Sequence, residues 1–177
     1  MKEFQTERIK LVKPDKKYLK DFFEYASKPM IGPMAGWMPH DNISVTECVL
    51  EEMIKTKHTW FIIWRKNDKM IGTIDLTPDE ESLVFKPTVY ELGYSIDNNY
   101  WGQGIAVEAS NLLLDYAFLD LKIKEITARH SEQNIRSKRV LEKLGFEFMR
   151  AEYDERFKRF TNRVWIYKLT KYHYDRR

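Results

Sequence analysis

The chain has 177 residues, 43% of them hydrophobic and 14% aromatic, which fills one core well and falls short of two, so a single domain over residues 1–177 is expected. Lys and Arg number 30 against 27 acids, a net +3 with the signs interleaved, which excludes a nucleic-acid stripe and implies a solvated surface. One cysteine excludes an intramolecular disulfide, His40, His58, His130, His173 and Cys48 lack metal-ligand spacing, and neither a signal-like N-terminus nor a membrane span is present, so a soluble cytoplasmic protein without a metal is expected.

Phe4 to Val12 alternates loosely between apolar and polar residues and ends at Lys13-Pro14, as a first strand does. Asp15 reads as the N-cap of a helix carrying Tyr18, Leu19, Phe22, Phe23 and Ala26 at helical spacing, which should stop before Pro29. A loop rich in Gly, Pro and Met follows from Met30 to His40, and Ser44-Val45-Thr46-Glu47 has the form of a capping box for a second helix running to about Lys55. On that helix Cys48 is expected to be a small buried hydrophobe. Trp60 to Trp64 and Met70 to Leu76 read as a hairpin turning at Asn67-Asp68, and Pro78-Asp79-Glu80-Glu81-Ser82 breaks the pattern.

The next strand is Glu91 to Ile96, followed by the turn Tyr100-Trp101-Gly102-Gln103-Gly104-Ile105-Ala106 and a helix with Ile105, Ala109, Leu112, Leu113 and Tyr116 on one face. Lys124 to His130 returns as a strand, most simply through a right-handed parallel crossover. Asn134 opens a helix that ends at Leu144-Gly145, and Phe146 to Tyr153 and Arg163 to Leu169 form a last strand pair around the charged loop Asp154 to Lys158.

The glycine turn before the helix is suited to an anion. Backbone N–H groups left free at a helix start point at a ligand, and glycine lets that ligand approach the main chain. A Walker loop is excluded because no lysine follows Gly104, and a dinucleotide fingerprint because Val107 stands where the third glycine belongs. There remains a short turn whose amides, from about Gly102 to Ala106, wrap a pyrophosphate, with an ordinary glycine turn as the alternative.

The run Glu-Leu-Gly-Tyr-Ser-Ile-Asp-Asn-Asn-Tyr-Trp-Gly-Gln-Gly-Ile-Ala-Val-Glu-Ala from Glu91 closely resembles the GNAT superfamily, as do Asn134-x-x-Ser137 and Glu142-Lys143-Leu144-Gly145-Phe146. Thr6-Glu7-Arg8 and Trp37-Met38-Pro39-His40 resemble its Rim-type branch, which includes ribosomal-protein N-terminal acetyltransferases. The resemblance implies an α/β fold (α+β in some schemes) with a mixed, splayed central β-sheet flanked by helices on both faces. It also implies acetyl-CoA in the split between the Glu91 and Lys124 strands. The family turn is Gln/Arg-x-x-Gly-x-Gly/Ala; Gly104 and Ala106 match it, and Trp101 departs from it as Rim-type members do. The expected cofactor contacts are thus Trp101, Gly102, Gln103, Gly104, Ile105, Ala106 and Asn134, the last also suited to capping its own helix.

Acetyl transfer to an amine needs a neutral nitrogen, a stabilised oxyanion and a proton for the thiolate. At pH 7 an α-amino group is about a tenth neutral, and a lysine well under about 0.1%. Glu91 is the candidate base, direct or through water, with a solvated strand-edge glutamate as the alternative. Ser137 is the candidate proton donor, since it shares an inward helix face with Val140, Leu141 and Leu144, and Rim-type enzymes are thought to use this serine so; a merely small packing residue is the alternative. A backbone amide in the middle of the Tyr94 strand is expected to hold the oxyanion. By resemblance Trp37 and His40 line the acceptor pocket, although Trp37 and Met38 suit a core equally well. Asp75, Asp79, Glu80 and Glu81 read as an ordinary acidic loop that is able to attract a cationic amine. The partners expected are acetyl-CoA and an amine, led by a ribosomal protein N-terminus, with a polyamine, aminoglycoside or amino acid next; a monomer or homodimer is expected, and no nucleic acid or membrane. A non-catalytic acyl-CoA-binding module is the rival of another class.

Overall fold

The computed structural model describes residues 1–78, 89–158 and 162–177. A strand apolar on both faces needs cover on both, and Thr59–Trp64 (β3) is buried at every position but the last. Trp60 and Ile62 join one apolar cluster while Phe61 and Ile63 join another, so the sheet carries a helical layer on each side.

Among the described residues, β3 belongs to one eight-stranded sheet with Phe4–Gln5 (β1), Ile9–Val12 (β2), Lys69–Pro78 (β4), Val89–Ile96 (β5), Glu125–Ser131 (β6), Glu147–Tyr153 (β7) and Arg163–Thr170 (β8). Their order is β1-β2-β3-β4-β5-β6-β8-β7. Every neighbouring pair is antiparallel except β5 and β6, which run parallel. The single strand expected from Phe4 to Val12 is two short ones that pair with each other, Phe4 opposite Leu11.

Helix Leu19–Ala26 (α1) follows one tight turn that Asp15 caps by accepting from the Lys17 N–H at 2.8 Å. A four-residue helix, Gly32–Ala35 (α2), lies inside the loop expected to be irregular. Ile43–Thr56 (α3) starts one residue before Ser44, because extended Asn42 accepts from the Val45 N–H at 3.1 Å; the expected capping box does not form. Cys48 is exposed, contrary to expectation: α3 buries Thr46 and Leu50, four residues apart, and a residue midway between them points outward. Ile105–Asp115 (α4) and Ile135–Lys143 (α5) supply Ile105, Ala109, Leu113 and Leu141 to one cluster, while α1 and α3 supply Phe22, Tyr25 and Leu50 to the other. Each such side chain contributes about 1.5–3 kcal/mol by leaving water. A last short helix, Lys171–Tyr174 (α6), follows β8. No helix among the described residues is long and apolar enough to cross a membrane.

One irregularity of the sheet creates the molecule's main cavity. β4 stays with β5 from Pro78 opposite Tyr90 to Gly72 opposite Ile96, but β6 accompanies β5 only from Val89 opposite Glu125 to Glu91 opposite Thr127. From Leu92 to Ile96, therefore, β5 is paired on one edge, and the sheet splays open on the other.

Candidate active site

The splay opens into a cavity of about 630 Å³ that reaches from the turn before α4 to α2. At its first end Gly102 and Gly104 hold φ of +76° and +77°, a region that side-chain-bearing residues avoid. A Cβ built on Gly102 would meet nothing within 4 Å, so the face of the turn is open. The amides from Gly102 to Ala106 find no acceptor among the described residues, as the start of an uncapped helix leaves them. The carbonyl side of the turn is tied down instead. Arg8 donates from Nη1 to the Gln103 carbonyl at 3.0 Å and from Nε to Glu108 at 2.8 Å, and Thr6 bonds the other Glu108 oxygen. Free amides, a positive helix end and the cations Arg136, Arg139 and Lys143 on the same wall make an anion cradle that fits a pyrophosphate.

Trp101 gives that cradle its floor. Its Nε1–H donates to the Ile96 carbonyl at 2.8 Å, and the Arg136 guanidinium lies 4.4 Å from its ring centroid. Behind the turn, Asp97 caps the residues after β5 and pairs with Lys28 Nζ at 2.7 Å from both oxygens, fixing the turn against the segment that follows α1.

Residues of β5 alternate in direction. The Asp97 N–H donates to the Ile71 carbonyl on β4 at 2.7 Å, whereas the Ile96 carbonyl turns to Trp101, so odd positions bond to β4 and even ones face the splay. The amides of Tyr94 and Ile96 accordingly look into the cavity. The Tyr94 hydroxyl lies 2.8 Å from Ser137 Oγ on α5 and 3.3 Å from the Ser137 carbonyl, and burial pushes its phenol far up. Asn134 Oδ1 accepts from the Ser137 N–H at 3.1 Å while its Nδ2 donates to the Met34 carbonyl at 3.3 Å, so one carboxamide caps α5 and ties it to α2. Tyr94 escaped the sequence reading as a side chain, although the Gly-Tyr-Ser triplet marks a strand whose neighbours on either side are small.

On the opposite face of β5, Asp75 of β4 stands in register with Gly93. A Cβ on Gly93 would come within 2.5 Å of Asp75 Oδ2, so the absent side chain is what gives the carboxylate its room. Asp75 has no hydrogen-bond partner among the described residues; burial first, then the charge of Glu91, pushes its carboxyl up to about 7, with Arg156 opposing. It is part of a strand and not of an acidic loop, and Asp79, Glu80 and Glu81 lie outside the described residues. Glu91 differs: Arg129 donates to its two oxygens, from Nε at 2.9 Å and from Nη2 at 2.5 Å. Arg129 also reaches Asp154 at 3.2 Å, and hydrogen bonds from Arg156 hold the Asp154 carboxyl below the usual carboxylate range.

Of the residues singled out from sequence, Glu91, Trp101, Gly102, Gly104, Ala106, Asn134, Ser137 and Trp37 all line this one cavity. Three stand apart. Gln103 is exposed, its Nε2 donating to the Asn99 carbonyl at 3.4 Å, and the Ile105 side chain is buried in the core, so each offers the cavity its amide alone. His40 lies behind Trp37, its Nδ1 paired with Thr46 Oγ1 at 2.8 Å, and burial lowers its pKa. Trp37 covers Gly32, where a Cβ would strike the indole at 2.5 Å.

Residues 8–147 match the acetyltransferase (GNAT) domain family. An uncharacterized N-acetyltransferase, p20 of Bacillus licheniformis, is 26% identical over 183 residues, spanning 98% of this chain and 99% of its own. Among solved structures, an acetyltransferase of the GNAT family from Bacillus anthracis superposes with a TM-score of 0.83 at 20% identity, covering 97% of this chain and 99% of that one. A ribosomal-protein-S5-alanine acetyltransferase from Vibrio fischeri superposes with a TM-score of 0.72 at 19% identity, covering 97% of each chain.

Proposed function

Since the chain belongs to the GNAT acetyltransferase family and is an N-acetyltransferase that uses acetyl-CoA, we propose that its acceptor is a protein N-terminal α-amino group, as in the Rim-type branch. The observation that carries this reading is the two-sided strand β5, with an anion cradle and a hydroxyl pair on one side and carboxylates beside an apolar wall on the other. Met30, Met34, Trp37 and Phe157 make that wall, which suits the first side chain of a peptide better than a polyamine. A structural neighbour, the Vibrio fischeri protein, bears the name of an enzyme acting on a ribosomal protein.

In this reading the amides of Gly102 to Ala106, with Arg136, Arg139 and Lys143, hold the pyrophosphate, and one domain over residues 1–177 performs the reaction. The Tyr94 N–H meets the developing oxyanion, a donor worth about a hundredfold or more in rate. Ser137 Oγ, hydrogen-bonded to Tyr94, gives the thiolate its proton, and Glu91, fixed by Arg129, shapes the acceptor side.

The test has two stages. Acetyl-CoA at a hundredfold over its Kd stabilises the protein by about 2.7 kcal/mol, read as a rise in Tm. Thiol release is then followed with a peptide beginning Ser or Ala, spermidine, an aminoglycoside and a free amino acid. The proposal predicts fastest turnover with a peptide; faster turnover with a small amine overturns the acceptor, and cofactor binding with no transfer to any amine leaves an acyl-CoA-binding module.

A further inference from the structure

Two carboxylates face the acceptor end of the cavity, and only one is free to take a proton. Both Glu91 oxygens are committed to Arg129, so protonating Glu91 breaks a bidentate, charge-assisted pair. Asp75 shares the same face of the sheet, lines the same cavity, carries no hydrogen bond among the described residues, and projects over Gly93, where β5 has no side chain to cover it. Gly93 is also the residue beside Tyr94, whose amide faces the splay.

We propose that Asp75 is the catalytic base of this enzyme, removing the proton from the acceptor ammonium, while Glu91 serves as a positioning residue that keeps Arg129 and the hairpin after β7 in place. The inference rests on the acetyltransferase reading above. Asp75 takes one proton from R–NH₃⁺, giving R–NH₂ and a neutral carboxyl that passes the proton to water. The nitrogen lone pair then forms the C–N bond at the thioester carbon as the C–S pair leaves with sulfur. Asp75 takes the second nitrogen proton and passes it too to water, and sulfur gains one from Ser137 Oγ, replaced from water. R–NH₃⁺ and acetyl-CoA thereby yield the amide, CoA thiol and one released proton.

The charged and titratable groups that face Asp75 fit this task. Glu91 on β5 repels its charge, Arg156 after β7 attracts it, and Tyr25 on α1 stays a neutral phenol with its hydroxyl held by Ser95 and Thr73. A carboxyl poised near 7 is charged often enough to accept a proton and neutral often enough to release it.

The test measures kcat/KM against pH for wild type, Asp75→Asn and Glu91→Gln, with a Ser-initiated peptide, spermidine and methoxyamine as acceptors and acetyl-CoA binding followed by thermal shift. Asp75→Asn is expected to lose about a hundredfold with peptide or spermidine and to lose the pH limb near neutrality. With methoxyamine, which is already uncharged at neutral pH so that only the proton freed by C–N bond formation is left to remove, the loss shrinks to a few-fold. Gly93→Ala, which pushes the carboxylate aside, gives the same selective loss. Equal losses with all three acceptors, or a selective loss in Glu91→Gln instead, overturn the assignment. Wild-type protein that fails to bind acetyl-CoA sinks the acetyltransferase reading itself, and bound acetyl-CoA that no amine discharges overturns both.

Discussion

The two faces of β5 belong to adjacent residues of one strand, yet they are built on opposite plans. Toward α5, Tyr94 meets Ser137, Ser137 meets Asn134, and Asn134 meets Met34, so these side chains form one continuous chain of hydrogen bonds. Toward α1 and α2, Gly93 leaves a gap and Asp75 has no hydrogen-bond partner among the described residues. A satisfied network is rigid and holds a bound molecule in one pose, whereas a half-buried carboxylate without a hydrogen bond is costly and reactive. Period-two alternation alone separates them, and in the proposed mechanism this lets one strand divide the thiolate's proton from the amine's.

The largest effect expected breaks the cofactor face. Gly104→Asp puts a like charge and a Cβ at φ +77° in the proposed phosphate cradle, and the acetyl-CoA-induced rise in Tm should disappear. Ser137→Ala comes next: kcat should fall about a hundredfold with the Kd for acetyl-CoA nearly unchanged, and an unchanged kcat removes the proton-donor role. Arg8→Ala loosens the turn from behind without touching the reacting atoms, and should raise the KM for acetyl-CoA about tenfold while sparing kcat. The smallest effect sharpens the acceptor face through stability. A carboxyl raised from 3.8 to about 7 by folding adds stability that is complete below 3.8 and lost as pH rises through 7. Asp75→Asn should therefore melt above wild type, by an amount that grows from about pH 4 to about pH 7 and levels off above, each kcal/mol relieved adding about 2–4 °C. A difference in Tm that stays flat over that range would show Asp75 ionising as an ordinary carboxylate.

The turn and helices proposed to hold the cofactor were largely legible in the sequence because their signals are local. Gly102, Gly104 and the amphipathic α4 follow one another in the chain, and Asn134 stands three residues from the Ser137 N–H that it caps. Even so, Ser44 is a plausible cap beside the true one, Asn42, and the four-residue α2 is too short to show a helical period. The acceptor face was not legible, since its chemistry depends on pairings between distant residues. Glu91 meets Arg129 across 38 positions and Asp75 meets Gly93 across a strand pair. An aspartate inside the apolar run Met70 to Leu76 was the one visible sign. His40 shows the reverse failure: a polar residue in a loop whose ring packs in the core against Phe22.

The central claim, that free main-chain amides before α4 grip the cofactor's diphosphate, is tested most directly by titrating ¹⁵N-labelled protein with CoA and following amide shifts and hydrogen exchange. The account predicts that the resonances of Gly102, Gln103, Gly104, Ile105 and Ala106 move most and become protected. CoA binding that leaves those five amides unshifted and exchanging as before would contradict it.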